Sequence, residues 1–215
     1  MSDPTAASIG ASLLRASPRT VPAWRPLRRE WSRALRSRPA GEVIRLAVEL
    51  VGNGAWGSVT AYELIAYHPG GIAALTTTAI RRLSRGLADW VSVDTFACYV
   101  AGPAWREGRL PTGQVHTWAR SRDRWQRRAA VVCTVALNVR ARGGRGDTSR
   151  TLAVCRRVVA DRDDMVVKAL SWALRSLLVW DRTAVSAFLE EHQDRLAGRV
   201  KREVGSKLRT GHKNG

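Results

Sequence analysis

Apolar positions along this chain recur at intervals of three and four over segments long enough for several helical turns. No stretch shows the period-two alternation of a half-buried strand. The pattern predicts about eleven helices, over 27–37, 42–51, 56–68, 72–85, 90–101, 111–120, 123–140, 149–160, 163–176, 184–192 and 197–208. Punctuation supports these limits. Pro26 stands at the first turn of the first helix, Gly52-Asn53-Gly54 and Pro69-Gly70-Gly71 end the next two, and Gly86 ends the fourth. Asp89 is placed to cap the helix from Trp90, and Gly102-Pro103 to stop it. Residues 1–17 have weak periodicity and are expected to lack regular structure, as is a basic tail over 207–215. Between them lies one domain over 18–206.

The helices carry a repeat. Arg122-Asp123-Arg124-Trp125-Gln126-Arg127-Arg128-Ala129-Ala130 aligns with Arg162-Asp163-Asp164-Met165-Val166-Val167-Lys168-Ala169-Leu170, forty residues on. Each copy has an acid at the helix start, a cation five residues later and a small residue next. Helix pairs at this period predict an all-α fold of HEAT-like units stacked into a solenoid with a concave face.

Charge changes the picture. The chain has 36 Lys and Arg against 18 Asp and Glu, a formal net charge of +18. Such an imbalance requires anionic company, and makes the expected concave face basic. Nucleic acid is the leading partner, with an anionic membrane surface second. No apolar run is long enough to span a bilayer, and the first residues lack the layout of a signal peptide. Cys98, Cys133 and Cys155 are odd in number and set among apolar residues, as core thiols in a reducing cytoplasm are. The four His show no ligand spacing, so no metal is expected.

Candidate chemistry falls on three helices. Trp90 and Asp94 share a face, while Val93, Phe96 and Val100 supply the core stripe on another. Trp172 lies between Lys168 and Arg175 at spacings of four and three, a cation–aromatic platform of the kind that binds phosphates and sugars. Arg128, beside Arg127, borders the stripe of Trp125, Ala129, Val132 and Ala136 and points toward a groove between repeats. The residue pattern leaves open a partly buried Trp beside a solvated Asp, and a water-exposed snorkelling face around Trp172.

Taken together these three segments resemble the AlkD-like family of bacterial DNA alkylation repair glycosylases. The family's Trp-x-x-x-Asp element is matched by Trp90 to Asp94. Its Arg followed by small and apolar residues is matched by Arg128 after Trp125. Its Lys-Ala-apolar-x-Trp-x-Leu-Arg element is matched by Lys168 to Arg175. The resemblance covers roughly residues 18–208 and is loosest before Gly52. It implies a monomer that cradles duplex DNA and removes cationic N3- and N7-alkylated purines without a metal or other cofactor. It implies that Asp94 is the catalytic carboxylate, with Trp90 and Arg128 completing the catalytic set. Trp172, Lys168, Arg175 and Arg127 would contact DNA. The alternatives are a non-catalytic paralogue that binds distorted DNA, and a helical scaffold for a protein partner.

The charge alone generates a prediction. Each neutralised phosphate releases counterions, so duplex affinity should fall by about 10³-fold or more between low and moderate salt. A flat salt response in a binding titration would contradict a nucleic-acid partner.

Overall fold

The computed structural model describes residues 4–16 and 21–213, excluding the side chains at 21, 22 and 55. All regular structure among them is helical. The α-helices are Ala6–Arg15 (α1), Val21–Leu35 (α2), Ala40–Leu50 (α3), Gly54–Tyr67 (α4), Thr77–Leu83 (α5), Trp90–Phe96 (α6), Gly102–Arg106 (α7), Thr112–Ala119 (α8), Arg124–Asn138 (α9), Thr148–Arg157 (α10), Asp164–Leu177 (α11), Arg182–Glu191 (α12) and Gly198–Thr210 (α13). A π-helical turn, Ala97–Ala101, joins α6 to α7, and a 3₁₀ turn, Arg140–Arg142, follows α9.

These helices form a two-row repeat. Helices α4, α6, α9, α11 and α13 pack in that order as one row. Helices α3, α8, α10 and α12 each pair with the member that follows them, and α3–α5 and α8–α10 contacts link the second row. The forty-residue match lies within the first row: α9 and α11 are its two copies, and they lie against each other. Carboxylates start the helices. Asp89, Asp123, Asp147, Asp163 and Asp181 each accept a hydrogen bond from a first-turn N–H of α6, α9, α10, α11 and α12. Each satisfies an orphan donor and complements the helix dipole. The core follows the expected stripe of α6, with Val93, Phe96 and Val100 fully enclosed, and Leu174 and Leu177 of α11 are enclosed as well.

A buried amide closes the junction behind α9. The Asn138 side chain donates to the Thr134 carbonyl and Thr151 Oγ1, and accepts from the Asp147 N–H. Its backbone carbonyl accepts from Trp180 Nε1. Satisfied in this way, a polar group inside the core carries little desolvation penalty.

Five expectations need correction. Residues 6–15 form α1, opened by a reciprocal cap between Thr5 and Ser8. Ile9 is wholly buried, and Ser12 accepts from Trp31 Nε1 of α2. Ala, Gly and Ser fill most of α1, so its apolar face has too few large residues to register as a period. The proposed boundary between residues 17 and 18 lies outside the described residues. At the other end, α13 continues to Thr210, and Leu208, inside the expected tail, packs against the core. Pro26 stands inside α2 rather than at its first turn. Helix α5 starts only at Thr77, where the Thr76 hydroxyl caps it.

The fifth correction concerns Gly102-Pro103, which does not stop the helix. The helix widens by one residue into the π turn, and the Gly102 N–H reaches back to the Ala97 carbonyl. Pro103, which has no N–H to give, then occupies the first turn of α7. Gly102 is required here by space. A Cβ on it would sit 2.5 Å from Ala136 Cβ and 2.8 Å from the Cys133 carbonyl of α9. Gly102→Ala should therefore destabilise the protein by about 1–3 kcal/mol, lowering the melting temperature by roughly 2–10 °C. Gly113→Ala, which meets open space, should not lower it in the same melting experiment.

Candidate nucleic-acid interface

The site is built on α6, α9 and α11. Asp89 fixes the start of α6 by accepting from the Ser92 N–H at 2.9 Å and the Ser92 hydroxyl at 2.6 Å. Trp90 and Asp94 then fall one turn apart. Val93 and Phe96 face the core, while Trp90 remains 56% exposed. Asp94 is partly buried at the rim of the same face.

Arg128 meets Asp94 from α9. Its Nε donates to Asp94 Oδ1 at 2.8 Å and its Nη2 to Oδ2 at 2.7 Å. Its Nη1 donates to the backbone carbonyl of Met165 on α11. This planar fork, two parallel bonds to a carboxylate, is the strong form of the ion pair. Arg128 is only 6% exposed, so it belongs to the protein interior and not to the water-facing rim. Burial pushes the Asp94 carboxyl above the ordinary carboxylate range, and the Arg128 hydrogen bonds and charge pull against that rise. Arg142 acts on Asp94 in the same sense as Arg128, at longer range.

The α11 residues are nearby in sequence to Met165 but differ in situation. Trp172 is half-buried against the core. Its outer face lines a cavity of about 290 Å³ with Arg140, Trp180 and Lys207. Lys168 pairs with Asp164 at 2.6 Å and remains largely exposed. Arg175 does not lie open as expected. It donates to Ser171 Oγ at 3.2 Å and lies 3.8 Å from Glu203 of α13. Arg127 likewise faces inward. Its Nε binds Asp161 at 2.6 Å, and Nη1 donates to the carbonyls of Ser121 and Arg122, tying the loop before α9 to the loop before α11. The structure thus joins Asp94, Arg128 and Trp90 into one site, with Trp172 and Lys168 along the neighbouring helix. Arg127 and Arg175 serve as joints between helices.

Sequence reasoning missed an aromatic pair formed between the end of α4 and the π turn that follows α6. The Tyr67 and Tyr99 rings are 6.2 Å apart, and the Arg142 guanidinium lies 4.3 Å from the centre of the Tyr99 ring. Arg106 holds the turn that carries Arg142 by donating to the Arg142 carbonyl at 2.8 Å. Tyr67, Tyr99 and Arg142 are separated by more than thirty positions in the chain, so no local spacing signals them. The core cysteines do appear as expected: Cys98, Cys133 and Cys155 are buried free thiols, each pushed up in pKa by burial. No helix among the described residues is long and apolar enough to cross a membrane.

No curated protein and no solved structure matches the chain significantly. A family model described as DNA alkylation repair enzyme matches residues 19–208, which takes in α2 through α12, most of α13 and every residue of the site. The chain therefore belongs to the DNA alkylation repair enzyme family.

Proposed function

We propose that the protein is a DNA glycosylase that acts as a monomer on duplex DNA and hydrolyses the N-glycosidic bond of cationic N3- and N7-alkylated purines. Membership of an alkylation repair family supports the setting. The observation that carries the chemistry is a carboxylate, Asp94, clamped in one orientation by Arg128 beside the exposed ring of Trp90.

An alkylated purine bears a positive charge, so it leaves without a general acid. As the C1′–N bond breaks, its electron pair goes to the purine, which departs neutral. Positive charge is left on the deoxyribose. Asp94 stabilises that charge and orients a water toward C1′, and the water's proton passes to the carboxylate or to solvent. The Trp90 and Trp172 rings flank the nucleotide and add stabilisation of the same sign. Arg128 is a positioning residue: it keeps Asp94 ionised despite burial and stops it from rotating. Lys168 contacts the DNA backbone.

A second reading is a non-catalytic member of the family that binds distorted DNA. One observation favours it. Asp94 and Arg128 satisfy each other as a structural ion pair does, and the Arg charge offsets part of the field Asp94 can offer a developing cation.

Single-turnover excision from duplex DNA carrying N7-methylguanine separates the two. Asp94→Asn keeps the shape and removes the charge, and should lower the rate about 10²-fold or more. Duplex affinity should hold or rise, because a negative charge facing phosphates has gone. A variant with the wild-type rate contradicts the catalytic role of Asp94.

Ionisation gives a further prediction. Only the carboxylate form of Asp94 works, so the rate should fall as pH drops through its raised pKa. That acid limb should lie above the range of an ordinary aspartate. Arg128→Gln removes the groups that hold the pKa down, so it should move the limb to higher pH still. Arg128→Ala should also destabilise the fold by about 3–5 kcal/mol in urea, since it strands a buried carboxylate. A limb that stays put in Arg128→Gln would remove Arg128 from its positioning role.

A further inference from the structure

The cations of this protein are not equally free. On the α11–α13 side of Asp94, Lys168 and Arg199 pair with Asp164 at 2.6 and 3.5 Å, and Arg175 lies 3.8 Å from Glu203. On the other side stands α2. It carries Arg25, Arg29 and Arg33 at four-residue intervals, with Arg36 in the turn that follows. All four are exposed, and among the described residues their side chains make no ion pair or hydrogen bond. Glu30, on the same helix, does not line the cavity next to them.

That cavity has a volume of about 450 Å³, and Arg28, Arg29, Arg33, Arg36, Ser32 and Tyr67 line it without any acid. The Ser32 hydroxyl oxygen is buried with no hydrogen-bond partner. Arg28 lies 4.3 Å from the centre of the Tyr67 ring and pairs with Glu63 at 2.8 Å. Tyr67, half-exposed, also borders a second cavity of about 480 Å³, whose wall includes Tyr99 and Arg142. The two cavities share Tyr67 at the end of α4, and α4 packs between α2 and the α6 helix of the candidate site.

From this layout we propose that α2 tracks a run of phosphates on one DNA strand, so that the footprint extends further on one side of the lesion than on the other. The proposal rests on the duplex-DNA reading above. Guanidiniums four residues apart are spaced by about 6 Å along a helix, which suits successive phosphodiesters of one strand. Arg is also the side chain that holds a phosphate with two parallel bonds. The exposed side of α2 offers a protein partner little to bury, since its residues there are charged.

Two measurements test the proposal, and the first needs no variant. Duplexes with a single N7-methylguanine are shortened on one side of the lesion or the other, and affinity is measured for the wild-type protein. Shortening one side should cost substantially more affinity than shortening the other. Equal losses overturn the asymmetric track. In the second, Arg29→Gln, Arg33→Gln and Arg36→Gln are combined and duplex affinity is followed against salt. The slope of log affinity against log salt should weaken by about 2–3, at roughly 0.9 per lost phosphate, and the difference between the two shortened duplexes should shrink. An unchanged slope and an undiminished difference overturn the role of α2 while leaving the glycosylase reading intact. Failure of the wild-type protein to bind any duplex overturns both.

Discussion

One guanidinium holds the candidate site together. Arg128 rises from α9, grips both oxygens of Asp94 on α6 and the carbonyl of Met165 on α11, and so spans three consecutive members of one row. A largely buried arginine is expensive unless its donors are met and its charge is opposed. Both conditions are satisfied here, and they fix the geometry. Asp94 can only lie where the fork allows, and α11 can only approach α9 at the distance set by the Met165 carbonyl. The same pair sets the electrostatics of the site. Burial raises the Asp94 pKa, and the hydrogen bonds and charge of the guanidinium oppose that rise.

A comparable economy governs charge throughout the chain. With a net charge of +18, many of the scarce carboxylates have a definite structural task. Five aspartates cap helices. Asp161 fastens Arg127, and Glu203 gathers Ser171, Arg175, Arg199 and Lys213 between α11 and α13. Positive charge is left over at places such as the cavity along α2, whose lining includes four arginines and no carboxylate. A protein arranged in this way has its internal joints neutralised and its binding surface unneutralised, as a polyanion partner requires.

Much of this was legible in the sequence, for local reasons. Asp123 and Asp163 announce the starts of α9 and α11 because capping is a property of neighbours in the chain. The repeat shows because both helices bury the same stripe. Trp90 and Asp94 read as a shared polar face because four residues make about one turn. What escaped depends on contacts between residues distant in the chain. Arg127 and Arg175 have the pattern of open cations, yet Asp161 and Glu203 claim them from 34 and 28 positions away. Arg128 borders an apolar stripe and reads as peripheral, until α6 is placed opposite it. The passage of the chain through Gly102-Pro103 depends on a π turn that no residue type announces, and on the closeness of Ala136 in α9. Helix α1 packs through Ile9 with Ala6 and Leu13 beside it, a face too small to stand out in a segment rich in Ala, Gly and Ser.

The central claim is that a fixed carboxylate beside an exposed tryptophan cleaves a glycosidic bond that is already weakened by alkylation. The most direct test is product analysis of the wild-type protein with duplex DNA containing N7-methylguanine or N3-methyladenine, beside an undamaged duplex. The account predicts free alkylated base and an abasic site in the damaged strand at a rate well above spontaneous loss, with nothing released from the undamaged duplex. Tight binding to damaged or branched DNA with no base released above the spontaneous background would contradict it, and would leave Asp94 and Arg128 as a structural ion pair in a DNA-binding protein.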